Sequence, residues 1–245
     1  MAAVYDRYPD VMNAHGGLIE KAENWRQEKI LSLLQAELSA QTRPRVIEVG
    51  IGTGLFARAC KRREWDYTGV DRSAKLISLL GDSFNCVNGE CPPLPASIES
   101  NTYDLAYASF ILEHLADGVE AFSFVSELKR VLKPGGLICL VVPDALSLGL
   151  EFWNLDYTHR YPTAERNVTQ ILQEAELDIR RVVRYRAAGF TGILYWLVRL
   201  CGLFYSYRFW TALLRRTDIP YSIYQYVKQD ILVFICAKRN VNTQT

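Results

Sequence analysis

The chain lacks most of what would make it a secreted, membrane-spanning or metal-stapled protein. Its six cysteines, Cys60, Cys86, Cys91, Cys139, Cys201 and Cys236, include no CxxC pair and stand with no histidine at metal-ligand spacing. Neither a zinc site nor a disulfide framework is expected, and a reducing cytoplasm fits best. The start, MAAVYDRYPD, has no basic segment leading into an apolar one, so no signal peptide is expected. No uncharged apolar run reaches the ~18 residues expected of a membrane span. There is no internal repeat and no low-complexity segment. Charge of one sign is also missing, with 28 Lys and Arg against 27 Asp and Glu. With 49% hydrophobic residues among 245, disorder, a collagen-like repeat and an extended coiled coil are excluded. The balance conceals an asymmetry: residues 1 to 178 hold 17 basic and 25 acidic side chains, whereas 179 to 245 hold 11 and 2. The two ends are therefore expected to face different partners.

What is present is an alternation. Leu18, Ile19, Ala22, Trp25, Ile30, Leu33, Leu34 and Leu38 recur at three- and four-residue spacings and predict an amphipathic helix over 18 to 38. Short apolar runs follow at 46 to 50, 67 to 71, 84 to 87, 103 to 110 and 137 to 142, each ending in a turn or a helix-like stretch. Crossover helices are predicted at 54 to 63, 73 to 81 and 117 to 132, the last stopped by Lys133-Pro134-Gly135-Gly136. Strands of near-continuous apolar character alternating with helices mean a largely parallel sheet covered on both faces, so the fold class is a doubly wound α/β domain. A helix near 163 to 175 and strands at 178 to 186 and 230 to 239 complete the pattern.

The strongest local signal is Glu48-Val49-Gly50-Ile51-Gly52-Thr53-Gly54, which follows the first strand and opens a helix. Glycines there let the backbone turn tightly and approach a ligand, and the helix N-terminus offers unsatisfied N–H groups. The next strand ends in Asp71, where a carboxylate can accept hydrogen bonds from ribose hydroxyls; a helix N-cap is the plainer use of the same residue. A dinucleotide loop would need a small sixth residue counted from Gly50, yet Leu55 stands there, so NAD is disfavoured.

The Gly-x-Gly-x-Gly spacing, the acid two residues before it and the segments GVDRS, NGECPPLP, YDLAYASFILEHL and ELKRVLKPGGLICLVVPD together resemble the class I S-adenosylmethionine-dependent methyltransferases, most of all the type 11 small-molecule set. The resemblance runs from about Arg45 to Asp144. It implies a Rossmann-like seven-stranded sheet and S-adenosyl-L-methionine as cofactor. It also implies Gly50, Gly52 and Gly54 beside the methionine and ribose, Asp71 on the ribose, and Glu90 on the adenine amino group. Glu48 would orient the loop or meet the cofactor's ammonium through water, and the backbone around Ala108, Ser109 and Phe110 would pass the methionine moiety. The expected organisation is one methyltransferase domain over 1 to 245. It has an N-terminal helical cap (1 to 40), a core (45 to 186 and 230 to 239) and an apolar insertion (187 to 229).

The expected reaction is methyl transfer to a small or lipid-linked acceptor, with oxygen the favoured atom. A catalytically silent methyltransferase fold that binds a partner protein is the alternative, and a different nucleotide-binding enzyme a second one. Displacement at a sulfonium is mainly a matter of alignment, but a hydroxyl nucleophile must lose its proton. His159, in the polar link NLDYTHRYPT, and His114, in LEHL, are the candidate bases, and His15 is a candidate substrate contact. A solvated loop is the plainer reading of His159 and packing at a helix start that of His114. The insertion is rich in Tyr195, Trp196, Leu197, Leu200, Leu203, Phe204, Phe209, Trp210, Leu213 and Leu214. Those residues predict a core cap, a lid over an apolar acceptor, or a surface over 193 to 214 that docks on a bilayer. Arg199, Arg208, Arg215 and Arg216 fit anionic headgroups. A break near Gly202 is expected to give two short helices. No nucleic-acid-binding motif is present, and no nucleic-acid partner is expected.

Overall fold

The computed structural model describes residues 16–38, 42–186, 192–215, 223–224 and 226–239. Seven strands, β1 (Arg45–Val49), β2 (Asp66–Asp71), β3 (Asn85–Asn88), β4 (Tyr103–Ser109), β5 (Leu132–Pro143), β6 (Leu177–Arg186) and β7 (Asp230–Lys238), form one sheet. Their spatial order is β3-β2-β1-β4-β5-β7-β6. Pairing is parallel from β3 through β5, and β7 runs antiparallel to both β5 and β6. The doubly wound sheet expected from the sequence is thus present, with its one reversed strand next to the edge.

Both faces are covered, which is why the strands read as nearly unbroken apolar runs. In β5, Ile138, Leu140 and Val142 turn to one layer, while Leu137, Cys139 and Val141 turn to the other. The first layer packs against the helices Gly118–Val131 and Glu165–Glu174. In the longer of these, Ala121, Phe124, Val125, Leu128 and Val131 bury a single stripe. Asp117 starts it, its Oδ1 accepting from the N–H groups of Val119 and Glu120 at 2.8 and 2.9 Å. The second layer is built on α1 (Gly16–Glu37), through Ile30, Leu31 and Leu34, and on α2 (Leu55–Arg62), through Phe56, Ala57, Ala59 and Cys60. Glu37, at the end of α1, pairs with Arg180 and Arg181 on β6, an edge strand whose exposed charges discourage pairing with another chain.

Helix positions follow the sequence closely. The helix expected at 73 to 81 spans Ala74–Leu80, and its cap is the Ser73 hydroxyl accepting from Leu76 N–H, not Asp71. β5 starts earlier than expected: Lys133-Pro134-Gly135-Gly136 ends the helix but continues as the lead of the strand, exposed only at Pro134 and Gly135. The link after β5 is not a plain polar loop, since it contains the short helices Ala145–Leu148 and Glu151–Leu155.

The insertion forms two helices, α8 (Gly192–Phe204) and α9 (Tyr207–Leu214), but they part at Tyr205-Ser206 and not at Gly202. Ser206 caps the second helix through Phe209 N–H. Gly202 remains helical because it is a contact point: a Cβ there would stand 2.7 Å from the Val227 side chain. A core cap is overturned for all but Tyr195, which is buried: the other named apolar side chains of both helices face outward, with Trp196 65% and Phe204 84% exposed. Arg199 does not face headgroups either. It turns back to Asp230 at 3.3 Å and receives the Trp196 ring beneath its guanidinium. Arg216 and His15 lie outside the described residues.

Because overpacking at a tight contact costs about 1–3 kcal/mol, Gly202→Val is expected to loosen α8 against Val227. Limited proteolysis should then cut faster between 192 and 215 while the urea midpoint of the sheet moves little. An unchanged cleavage rate would count against the contact.

Candidate active site

The loops that follow β1, β2, β3 and β4 emerge at one edge of the sheet, and the chain reverses its direction of winding between β1 and β4. In open α/β sheets that reversal leaves a crevice outside the carboxyl ends of the strands. Gly50, Gly52 and Gly54 turn into it with φ of +81°, +49° and +74°, a region where side chains other than glycine are strained. A Cβ on Gly50 would strike the Ile111 side chain, whereas one on Gly52 would meet nothing within 4 Å. The middle of the loop is therefore open to a ligand, and the loop leads into the N-terminus of α2.

Asp71, at the end of β2, is 8% exposed. Its Oδ2 accepts from Ile51 N–H at 2.9 Å and its Oδ1 from Ser73 N–H at 2.8 Å, so the carboxylate fixes the glycine loop to the start of the next helix. Each oxygen retains a second lone pair for a hydroxyl donor. Burial raises the pKa of this acid, and the Ser73 and Ile51 N–H groups oppose the rise. The Asn88 side-chain amide and Gly89 N–H both donate to the Asp71 carbonyl at 3.0 Å, which brings the exposed Glu90 to the same edge. Ser109 ends β4, and Phe110 beyond it takes φ +58° while its N–H donates to Val141 O. A bulky residue in that region carries local strain, which clusters at functional turns.

Glu48 lies beneath the loop and 3% exposed, and accepts a 2.5 Å hydrogen bond from the Tyr67 hydroxyl. Burial pushes its pKa well above the usual carboxylate range, against the Tyr67 hydrogen bond, which lowers it. It faces the α1–α2 layer, beside the stacked rings of Phe56 and Tyr107, whose centroids are 3.9 Å apart.

The structure brings His114 and His159 together. His114 ends a single 3₁₀ turn (Leu112–His114) after β4, His159 lies in the link after β5, and their ring centroids are 5.1 Å apart. The link is held by Thr163, whose hydroxyl donates to Pro143 O at 2.6 Å, and by Arg160 and Tyr161 N–H groups, which both donate to Glu113 O. His159 is buried, not solvated, and stacks on Phe152. Burial lowers the pKa of both rings, that of His114 to about 4 with a further push from His159. Both imidazoles are neutral near pH 7. Glu113, between them in the fold, is 1% exposed, and burial pushes its carboxyl up to about 8. The sequence reading named the histidine of LEHL and passed over this glutamate; its position beside His114 was the available signal.

A further buried acid joins the insertion to this edge. Asp230, at the start of β7, pairs with Arg186 at 2.9 Å and Arg184 at 3.5 Å, and accepts from the Tyr195 hydroxyl at 2.8 Å. Arg184 also binds Asp144 at the end of β5, and Asp144 N–H donates to Asp230 O. The two insertion helices thus rise from the same side of the sheet as the glycine loop. No spacing in the sequence pointed to this network.

Sheet order, glycine loop and strand-end acid define a Rossmann-like α/β fold. The methyltransferase-domain family matches residues 22–182, and the chain belongs to that family. It is 28% identical over 151 residues to an uncharacterized methyltransferase of Schizosaccharomyces pombe, spanning 55% of this chain and 52% of that one. It is 25% identical over 165 residues to the malonyl-[acyl-carrier protein] O-methyltransferase of Pectobacterium atrosepticum, 65% of this chain and 57% of that one. The chain spans about half the length of these curated relatives. In fold it is similar to phosphoethanolamine N-methyltransferase 2 of Haemonchus contortus, solved with phosphomonomethylethanolamine and S-adenosylhomocysteine. The TM-score is 0.60 at 18% identity, over 87% of this chain and 52% of that one.

Glu48 generates a pH-dependent prediction. Its folded pKa exceeds the unfolded value of about 4.3, so the native chain holds the extra proton. The corresponding stability is present below that value and is lost as pH rises toward the folded pKa. Glu48→Gln, which mimics the protonated acid, should match the parent's urea midpoint at about pH 4 and exceed it at about pH 8. Equal midpoints at both would contradict a buried, protonated Glu48.

Proposed function

We propose that this chain is an S-adenosyl-L-methionine-dependent methyltransferase that transfers the methyl group to an oxygen of a small or lipid-linked acceptor. The observation that carries the reading is the left-handed glycine loop clamped by Asp71 at the sheet's switch point, with a pair of neutral histidines, one buried and one partly buried, on the loops that follow β4 and β5. Gly50, Gly52 and Gly54 give close backbone approach to the methionine and ribose, Asp71 accepts from the ribose hydroxyls and Glu90 from the adenine amino group. Ser109 flanks the methionine moiety, and Glu48 holds the loop in place from below through Tyr67. The cofactor supplies an electrophilic methyl on sulfur, and the chain's part is to align an acceptor with it and exclude water. His159 and His114 promote loss of the acceptor's hydroxyl proton. Oxygen is favoured by that pair and by the O-methyltransferase among the relatives.

Calorimetry is expected to give micromolar binding of the cofactor or its demethylated product and far weaker binding of NAD. Asp71→Ala removes a charged acceptor and should cost about 2–3 kcal/mol, some 30- to 150-fold in affinity. Once mass spectrometry of methylated products from a host extract has identified an acceptor, His159→Ala should lower turnover by ~100-fold with cofactor affinity nearly unchanged. Tight NAD binding or an indifferent Asp71→Ala would overturn the cofactor reading. Cofactor binding without any product would favour the catalytically silent, partner-binding alternative.

The lipid-linked version has its own support. No described helix is long and apolar enough to cross a membrane. Residues 192–215 nonetheless present outward Ile193, Trp196, Leu203, Phe204 and Phe209, with no acidic residue among them and with Arg208 and Arg215. We read this as a cytoplasmic protein, peripheral to an anionic membrane, that takes its acceptor from the bilayer surface. The parent chain should float with liposomes containing anionic lipid, and Trp196→Glu combined with Phe204→Glu should abolish flotation. A parent that stays in solution rejects membrane docking.

A further inference from the structure

Glu113 is a buried acid with one unanswered oxygen: its side-chain Oε2 meets no donor among the described residues. A carboxyl in that position costs free energy unless something pairs with it. One oxygen of Glu113 and one nitrogen each of His114 and His159 lie within 4.8 Å of one another. Oε2 makes no hydrogen bond to either ring. An ion bonded to all three at about 2.0–2.2 Å would draw its ligands to about 3–4 Å apart, within reach of small side-chain shifts.

The rings are held in the manner of metal-ligating histidines, by acceptors on the remote nitrogen. His159 Nδ1 lies 2.7 Å from Phe152 O, and a carbonyl only accepts, so that nitrogen carries the proton. The Thr158 hydroxyl donates to Asp156 at 2.7 Å and so meets His114 Nδ1, at 2.9 Å, as an acceptor. The spacing that excluded a zinc site in the sequence concerns ligands near one another in the chain; here 44 residues of intervening fold bring the two rings together.

We propose that Glu113, His114 and His159 bind a divalent transition-metal ion, of the zinc or iron(II) class suited to two imidazoles and one carboxylate. Three protein ligands leave coordination positions open. The site begins two residues beyond Ile111, whose side chain abuts Gly50, so an ion there would lie at the mouth of the glycine-loop crevice. Resting on the methyl-transfer reading, it deepens that reading: the histidines would promote loss of the hydroxyl proton by holding an ion that acidifies a bound acceptor.

Cobalt(II) is the probe. Titrated into the full chain after chelator treatment, it is expected to bind with one equivalent and give visible d–d bands without a thiolate charge-transfer band. Losing an outer-shell partner already costs 10–100-fold in affinity, so His159→Ala and Glu113→Gln should each weaken binding on the order of 100-fold. Glu113→Gln preserves the shape of the protonated acid and keeps the test valid if His159→Ala fails to fold. No saturable absorption overturns the proposal, as does a thiolate band or indifference to both ligand variants. Cofactor calorimetry on the same samples separates the two claims: cofactor binding without cobalt binding defeats only the metal site, and cobalt binding without cofactor binding defeats only the methyltransferase reading.

Discussion

The reversal of winding between β1 and β4 is the constraint on which the site depends. Parallel strands deliver their loops to one edge, and crossovers that leave in opposite directions from adjacent strands cannot fill the space between them. Into that space the chain turns the Gly50–Gly54 loop on one side and Ser109 to His114 on the other, with Ile111 and Gly50 in contact across the gap. The contact admits no side chain on Gly50. Asp71 then ties the loop to the neighbouring strand through two backbone donors, so that the loop is formed before any ligand arrives. Preorganisation of this kind spares a ligand the entropy of ordering its own site.

Buried acids are handled in three ways, and the contrast is informative. Asp71 is met by backbone N–H groups and Asp230 by three arginines and a tyrosine hydroxyl, whereas Glu48 has one phenol and Glu113 an orphan oxygen. Asp230 and Arg186 are almost fully buried, and breaking such a pair from one side typically costs about 3–5 kcal/mol. That network is structural: it binds the insertion to the ends of β5, β6 and β7. Hydrogen bonding within that network is incomplete too, since Asp230 Oδ1 and two Arg186 nitrogens lack partners, but there opposite charges face each other, whereas Glu113 near the crevice has no cationic side chain paired with it among the described residues.

The insertion shows the same division between anchor and free surface. Tyr195, Arg199 and Gly202 hold α8 to Asp230 and Val227, while the remaining apolar residues of both helices project away. Apolar exposure on this scale is rare on a monomer's surface unless something covers it. Because the anchor lies at the end of β5, whatever covers the helices does so on the crevice side of the sheet.

The sequence alone determined the strands, the crossover helices, the glycine loop and Asp71, because those features are local: apolar periodicity, backbone freedom at glycine and a carboxylate at a strand end are written over a few consecutive residues. The family followed from five such segments in order. What it could not contain was pairing across distance. That Glu113, His114 and His159 converge, that Arg199 serves Asp230 and not a headgroup, and that Gly202 packs where a break was expected were all decided by tertiary structure. Each depends on which residues meet after the sheet has closed, and a one-dimensional pattern carries no record of that meeting.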